Sequence, residues 1–354
     1  MADYEKVLVT GAAGFIGTNF VRQALGADGQ AGRDVERVIA VDLLTYAGNW
    51  ANLADLAGDA RFRFERLDIA EREAVAGLLR DEAVDVVVNF AAESHVDRSI
   101  VDQAPFLHTN VHGTLALLEA VRATGGVRRF LQVSTDEVYG SIAQGHATED
   151  WPAHPSSPYA ASKTSADAFV QAYAATFGVP AVITRCSNNY GPWQFPEKLI
   201  PLFITNALDG EPLPLYGDGQ NVRDWIHVED HCAALWHVLG LPDPDGRVWN
   251  VSAATERPNR AVTDAILGLT DRPRDLVRYV ADRPGHDRRY ALDAGRLGAT
   301  GWTPRWTFED GLAATVTWYR AHRGWWEAVK SGAYRDYYQA MYGDRLRDAA
   351  KPMR

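Results

Sequence analysis

Through the first half of the chain, short apolar runs alternate with segments of helical spacing. Lys6–Thr10, Arg37–Val41, Phe62–Arg66, Val84–Asn89, Phe130–Ser134 and Ala181–Thr184 are dominated by apolar residues. Each is short enough to read as a buried strand. Between them, Phe15–Leu25, Glu73–Leu79, Pro105–Ala123 and Tyr159–Phe177 repeat apolar residues every three or four positions, which predicts helices. Strand and helix in alternation predict an α/β fold with a doubly wound parallel sheet. The strand runs are nearly continuously apolar, as expected where helices cover both faces.

From Asn188 onward loops lengthen, with Pro192, Pro196, Pro201, Pro212 and Pro214, and aromatics cluster. Val248–Val251 predicts a last strand returning to the first sheet. The reading is therefore two lobes: residues 1–185 with about 222–251, and a smaller discontinuous α/β lobe from about 186–221 with 252–354. The tail from Trp325-Trp326 through Tyr334, Tyr337, Tyr338 and Tyr342 is too aromatic for disorder and is expected to pack on the second lobe.

At 354 residues and 46% hydrophobic the chain can bury a large core. Its net charge of -10 argues against nucleic-acid binding and requires local cations for any anionic ligand. Two cysteines, Cys186 and Cys232, build neither a disulfide framework nor a metal site. No apolar signal or membrane-spanning stretch is present, so a cytoplasmic location is expected.

Gly11, Gly14 and Gly17 stand between the first strand and the first helix. That context predicts a Rossmann-type dinucleotide site, with a tight turn at Gly11, close pyrophosphate approach at Gly14 and close helix packing at Gly17. Asp42, closing the second strand, suits the ribose hydroxyls of NAD, or else caps a turn. Asp68 either edges the adenine or caps a helix. Tyr159 and Lys163 share one face of a helix, where the ammonium can lower the phenol's pKa for proton abstraction from an alcohol. The alternative is a half-buried Tyr and a solvated Lys. Asp136 and Glu137 follow Thr135, whose hydroxyl can bond the oxygen at the reacting carbinol. Plain carbinol oxidation has no need of two further carboxyls, so an acid beside a base adds elimination to redox chemistry. For both to act on one substrate, the chain must leave strand geometry after about Thr135.

The chain resembles the extended short-chain dehydrogenase/reductases, and among them the dTDP-glucose 4,6-dehydratases. The likeness rests on Thr45-Tyr46-Ala47-Gly48-Asn49, on the run from Ala91-Ala92-Glu93-Ser94 to Ser99, and on Ser134 through Gly140. It continues in Arg185 through Pro192, Lys198-Leu199-Ile200-Pro201, Arg223-Asp224-Trp225 and Asp282 through Tyr290. It implies tightly bound NAD, reached by Phe15, Ile16, Leu43, Thr45, Ile69, Ala91, Ala92, Thr109 and Asn189 beside the residues above. It implies a cycle without net redox change. Tyr159 takes the 4-hydroxyl proton as hydride leaves carbon 4, Glu137 takes the carbon-5 proton, Asp136 protonates the departing 6-hydroxyl, and hydride returns to carbon 6. Asp136 must then start protonated and Glu137 ionised. The resemblance further implies a nucleotide-diphosphate sugar held by Ser94, Asn188, Lys198, Leu199, Leu215, Tyr216, Arg223, Asn250, Arg283, His286 and Tyr290. It also implies a homodimer paired through Pro105–Ala123 and Tyr159–Phe177.

Taken singly, several of these have bland readings: an Asn188-Asn189 turn, an Arg223–Asp224 surface pair, a solvated His286. Two departures, Ser252-Ala253 for the usual Gly-Gly and Trp193 for a common Tyr, fall near the expected nucleotide site. A UDP-, CDP- or GDP-linked substrate stays open, as does a related epimerase or decarboxylase, although an epimerase has no use for Asp136-Glu137. A non-catalytic NAD-binding regulator is the alternative from another class.

Overall fold

The computed structural model describes residues 4–27, 33–242, 246–331 and 333–349. In chain order its elements begin β1 (Lys6–Thr10), α1 (Phe15–Leu25), β2 (Arg37–Asp42), β3 (Phe62–Arg66), α2 (Arg72–Asp81), β4 (Val86–Asn89), α3 (Val96–Val101), α4 (Ala104–Phe106), α5 (Thr114–Thr124), β5 (Arg129–Thr135) and α6 (Pro158–Phe177). They continue β6 (Ala181–Cys186), β7 (Asn188–Tyr190), α7 (Leu199–Asp209), β8 (Leu213–Tyr216), β9 (Val222–His227), α8 (Val228–Leu239), β10 (Val248–Val251) and β11 (Glu256–Pro258). The last are α9 (Asn259–Thr270), β12 (Val277–Val280), α10 (Gly295–Gly298), α11 (Phe308–Ala321), α12 (Arg323–Val329) and α13 (Ala333–Ala349).

Seven strands form one parallel sheet in the order β10-β6-β5-β4-β1-β2-β3. Because every strand runs the same way, their carboxyl ends gather at one edge, where open α/β sheets bind ligands. The reversal of strand order falls between β1 and β4. Three of the sheet's polar positions are linked across strands: Thr10 donates to Asn89 Oδ1 at 2.6 Å, and Asn89 Nδ2 donates to Gln132 Oε1 at 2.8 Å. Unpaired, such groups would each cost about 1–3 kcal/mol.

One apolar layer, with Phe20, Val21 and Val38, packs α1 and α8 on the sheet; another, with Leu117, Leu118 and Phe130, packs α2, α5 and α6 on its other face. A third cluster joins α7, α9 and α11 to the tail, through Phe203, Ile266, Leu312, Trp326 and Tyr342. The aromatic tail therefore packs as expected. β9 pairs with β7 and β11 rather than with the large sheet; its Trp225 joins the third cluster and its Ile226 the first.

The helix expected over Pro105–Ala123 is interrupted. Leu107–Gly113 winds as a π-helical turn between α4 and α5. The wider turn aims Asn110 at the Glu93 backbone, which it clasps through both amide atoms at 2.9 and 3.0 Å. A π turn of this sort is a common device at functional sites. Among the described residues no helix is long and apolar enough to cross a membrane.

Gly17 shows how tightly α1 sits: a Cβ there would lie 2.2 Å from Gly11 O, a backbone atom that cannot swing away. Gly17→Ala is expected to destabilise the fold by about 1–3 kcal/mol through overpacking, read as a lowered thermal midpoint.

Candidate active site

A cavity of about 400 Å³ opens at the carboxyl edge of the sheet. At one end Gly11 adopts φ +62, and a Cβ there would sit 2.7 Å from Ala91 N. Gly14 begins α1 with no side-chain cap, leaving the first helical N–H groups toward the cavity. Phe15, Ile16, Leu43, Thr45, Asp68, Ile69, Ala91, Ala92 and Thr109 also line this end. The close glycine turn, the uncapped helix start and the buried acid fit a dinucleotide pyrophosphate and ribose. Asp42 accepts from Ala13 N at 2.9 Å and Leu44 N at 2.7 Å, which leaves lone pairs on both oxygens for hydroxyls. Asp68 takes the Ala70 N–H at 2.9 Å and lies 3.0 Å from His108 Nε2; it turns the chain ahead of α2, whose N-cap is Glu71.

At the centre the chain leaves β5 after Thr135 and enters a 3₁₀ turn over Asp136–Tyr139. Thr135 Oγ1 accepts the Glu137 N–H at 3.2 Å and caps that turn. Gly140 closes it at φ +71, against His154 O. Both acids thereby face the cavity, as the sequence requires. Asp136 is 4% exposed, and its Oδ2 has no hydrogen-bond partner among the described residues. Burial, then the charges of Glu137 and Asp224, push its carboxyl well above the usual range. Glu137 is also raised by burial, but Lys198, Arg283 and Arg223 all pull it back. Asp136 is raised further than Glu137, so a proton held by the pair favours Asp136.

Tyr159 and Lys163 occupy the first turns of α6, which Ser157 caps by accepting the Ala160 N–H at 3.1 Å. Both side chains are buried, so the half-buried and solvated alternative falls. The expected lowering of the phenol by the ammonium is not found. Burial and then the Glu137 charge hold Tyr159 well above its ordinary value, opposed by a hydrogen bond with Thr135. Lys163 Nζ instead donates to Val133 O at 2.8 Å. One turn on, Asp167 accepts from Arg185 Nε at 2.9 Å.

At the far end Lys198 Nζ donates to Ser94 O at 2.7 Å. Arg283 donates to Asp97 Oδ1 at 2.7 Å. Arg223 lies 4.2 Å over the Tyr290 ring and donates to the carbonyls of Val222 and Asp287. Tyr290 bonds Asp287 at 2.8 Å and stands 3.5 Å from Glu137 Oε2. Leu199, Leu215 and Tyr216 line the same end. Asn188 reaches the cavity with a buried Oδ1 that has no partner among the described residues, while Asn189 is fixed by His231 at 2.8 Å. Arg223 does not pair with Asp224: the two alternate across β9, and Asp224 takes Ser252 Oγ and the Thr255 N–H. Nor is His286 solvated; its side chain is 6% exposed, and burial, then Arg283 and Arg223, lower it to about 4.

Asn250 is the clear correction. It is 0% exposed and absent from the cavity wall. Its amide takes the Tyr139 hydroxyl at 2.9 Å and donates to the carbonyls of Ala147 and Asp293. Asn259 reaches the cavity beside Asn188 and Asn189, with a buried Oδ1 lacking a partner among the described residues. The two departures also miss the wall. Ser252 and Ala253 belong to the loop around Asp224, and Trp193 packs on Trp318 and Trp325. Sequence reasoning missed Glu197, Tyr46, His95, Asn259 and Tyr342, all in the wall. Tyr46 and His95 had a local signal, inside quoted motifs, and Glu197 stands beside one; burial raises Glu197 to about 7 against Lys198 and Arg98. Cys186 also lines the site, its thiol pushed up to about 12 by burial and then the Asp136 charge.

Asp136 binds its proton more tightly folded than unfolded, so its stabilising contribution is full below about pH 4 and is lost as pH rises through the folded value. Asp136→Asn is therefore expected to be more stable than the native protein at pH 8, with the gap closing toward pH 4, as read from thermal midpoints across that range.

Residues 8–315 match the family model described as GDP-mannose 4,6 dehydratase. The dTDP-glucose 4,6-dehydratase of Xanthomonas campestris pv. campestris (strain B100) is 51% identical over 347 residues, spanning 93% of this chain and 97% of the relative. The crystal structure of DesIV, a dTDP-glucose 4,6-dehydratase from Streptomyces venezuelae with NAD and dTDP bound, superposes with TM-score 0.87. It is 51% identical and covers 92% of this chain and 100% of its own. The UDP-glucose 4-epimerase of Thermus thermophilus, in complex with NAD, shares the fold at TM-score 0.80 and 31% identity, covering 90% of this chain and 99% of its own. With the glycine turn, the buried acid pair and the Tyr-Lys helix in one cavity, the chain belongs to the nucleotide-sugar 4,6-dehydratase family of the extended short-chain dehydrogenase/reductases and groups there with the dTDP-glucose 4,6-dehydratases.

Proposed function

We propose that the protein converts dTDP-glucose to dTDP-4-keto-6-deoxyglucose with NAD as a resident cofactor. The observation that carries this reading is the buried 3₁₀ turn that holds Asp136 and Glu137 in one cavity with Tyr159. When bound, NAD+ supplies a hydride acceptor at sugar carbon 4 and, once reduced, a donor to carbon 6. Tyr159 accepts the 4-hydroxyl proton, with Thr135 bonded to the phenol. Glu137 accepts the proton made acidic at carbon 5, and Asp136 gives its proton to the departing 6-hydroxyl, so that water leaves. Glu137 then returns a proton to carbon 5, and the cycle closes without net oxidation. Arg223, Arg283 and Lys198 hold the diphosphate and hexose end, as guanidinium and ammonium groups suit phosphate oxygens. The epimerase reading does not account for an acid held protonated beside an ionised one.

We also infer a cytoplasmic homodimer. Val101 and Leu107 are 79% and 59% exposed, and Phe169 and Phe177 of α6 are 37% and 49% exposed. These side chains border the expected helix pairing and suit burial against a second copy.

With dTDP-, UDP-, CDP- and GDP-glucose, mass spectrometry is expected to show loss of one water mainly from the dTDP sugar; no loss from any would defeat the reading. Glu137→Gln is expected to accumulate the near-ultraviolet absorbance of reduced nicotinamide while elimination falls roughly 10²–10⁴-fold, the usual worth of a general base. Val101→Asp with Leu107→Asp is expected to yield a monomer by sedimentation, and an unchanged dimer would remove this face from the interface.

A further inference from the structure

The steps above leave α13 without a role, yet it forms part of the cavity wall. Tyr342 is 6% exposed and lines the cavity. Three residues later, Arg345 Nη1 donates to the Tyr216 hydroxyl at 2.7 Å. That hydroxyl donates in turn to Asp97 Oδ2 at 3.1 Å, and Tyr342 also bonds it. The other oxygen of Asp97 receives Arg283 at 2.7 Å. The Tyr216 ring meets His286 edge-on, with centroids 5.9 Å apart. A chain of donors and acceptors thus runs from α13 to Arg283, and a ring contact extends it to His286. A turn earlier, the Tyr337 hydroxyl stands 3.3 Å from His95 Nδ1, and its ring holds Arg98 at 4.0 Å.

The arrangement sets a competition at Asp97, which is 4% exposed. Arg283 is held by this carboxylate, and a diphosphate must share or take over the guanidinium. Every other donor to Asp97 loosens that hold. Arg345 polarises the Tyr216 O–H, which strengthens its bond to Asp97 and frees Arg283 to turn toward phosphate oxygens. Tyr342 fixes the Tyr216 hydroxyl in the orientation this needs.

We propose that α13 completes the nucleotide-diphosphate subsite, with Arg345 and Tyr342 acting as positioning residues that set Arg283 and His286 through Tyr216 and Asp97. The inference rests on the function proposed above. It is tested on the full chain with Arg345→Ala, Arg345→Lys and Tyr342→Phe. dTDP binding is followed by calorimetry, and KM and kcat are measured with dTDP-glucose. Arg345→Ala is expected to raise both the dTDP dissociation constant and KM roughly tenfold, the order that one charge-assisted hydrogen bond is worth. A smaller rise is expected for Tyr342→Phe and partial rescue for Arg345→Lys, with bound NAD unchanged throughout. Unchanged dTDP affinity in both Arg345→Ala and Tyr342→Phe would overturn the proposal, as would losses confined to kcat and bound NAD. Failure of the native protein to bind dTDP would instead defeat the function on which the inference rests.

Discussion

The site is organised by one electrostatic constraint: two adjacent carboxyls, one buried and one half-buried, share a single cavity, where ionising both is costly. The fold resolves this by asymmetry. Asp136 is left with an orphaned oxygen and two neighbouring acids, and keeps a proton. Glu137, one residue on, is raised by burial but drawn back toward its charged form by Lys198, Arg283 and Arg223. Those cations come from the start of α7, from β9 and from the loop after β12. Much of the chain beyond β6 therefore serves to bring positive charge to a carboxylate fixed by the large sheet. The same cations suit a diphosphate, so acid–base poise and substrate binding draw on shared groups.

Arg223 is buried and Lys198 and Arg283 are half-buried, and each is anchored. Lys198 rests on a carbonyl, Arg283 on Asp97, and Arg223 between a tyrosine ring and two carbonyls. Behind α6, Asp167 and Arg185 form a second ion pair that is almost wholly buried. Pairs of this kind add little net stability compared with apolar packing, but removing one partner is costly. Their effect here is to fix where the first turns of α6, and hence Tyr159 and Lys163, lie.

Much of this was legible in the sequence where the determinants are local. The ends of β1, α1, β3 and β10 follow from runs bounded by Gly or polar residues, and the break after Thr135 follows from requiring two adjacent acids to face one substrate. What was not legible depends on long-range packing. Asn250 ends a strand, as several site residues do, but the pleat turns it toward Tyr139 and the Ala147 loop. Asn259, at the start of α9, reaches the cavity instead. The π turn at Leu107–Gly113 carries no local signature; it follows from Asn110 clasping the Glu93 backbone and from Gly113 lying against Ile69. Tyr342 is far from Tyr216 in sequence and enters the wall only when the tail folds back.

Cys186 has a practical consequence. Its sulfur lies in the wall beside the acid pair, donating to Ser134 O at 3.3 Å, and its thiolate is suppressed. The only other thiol, Cys232, is buried where α8 meets α1, 3.8 Å from Ile16 O. Cys232 is 0% exposed and out of reach of an alkylating reagent until its region opens, whereas Cys186 faces the cavity and is masked by whatever fills it. The rate at which each is labelled therefore reports a different event, occupancy of the chemical centre for one and opening beside the nucleotide-binding helix for the other, without any engineered probe.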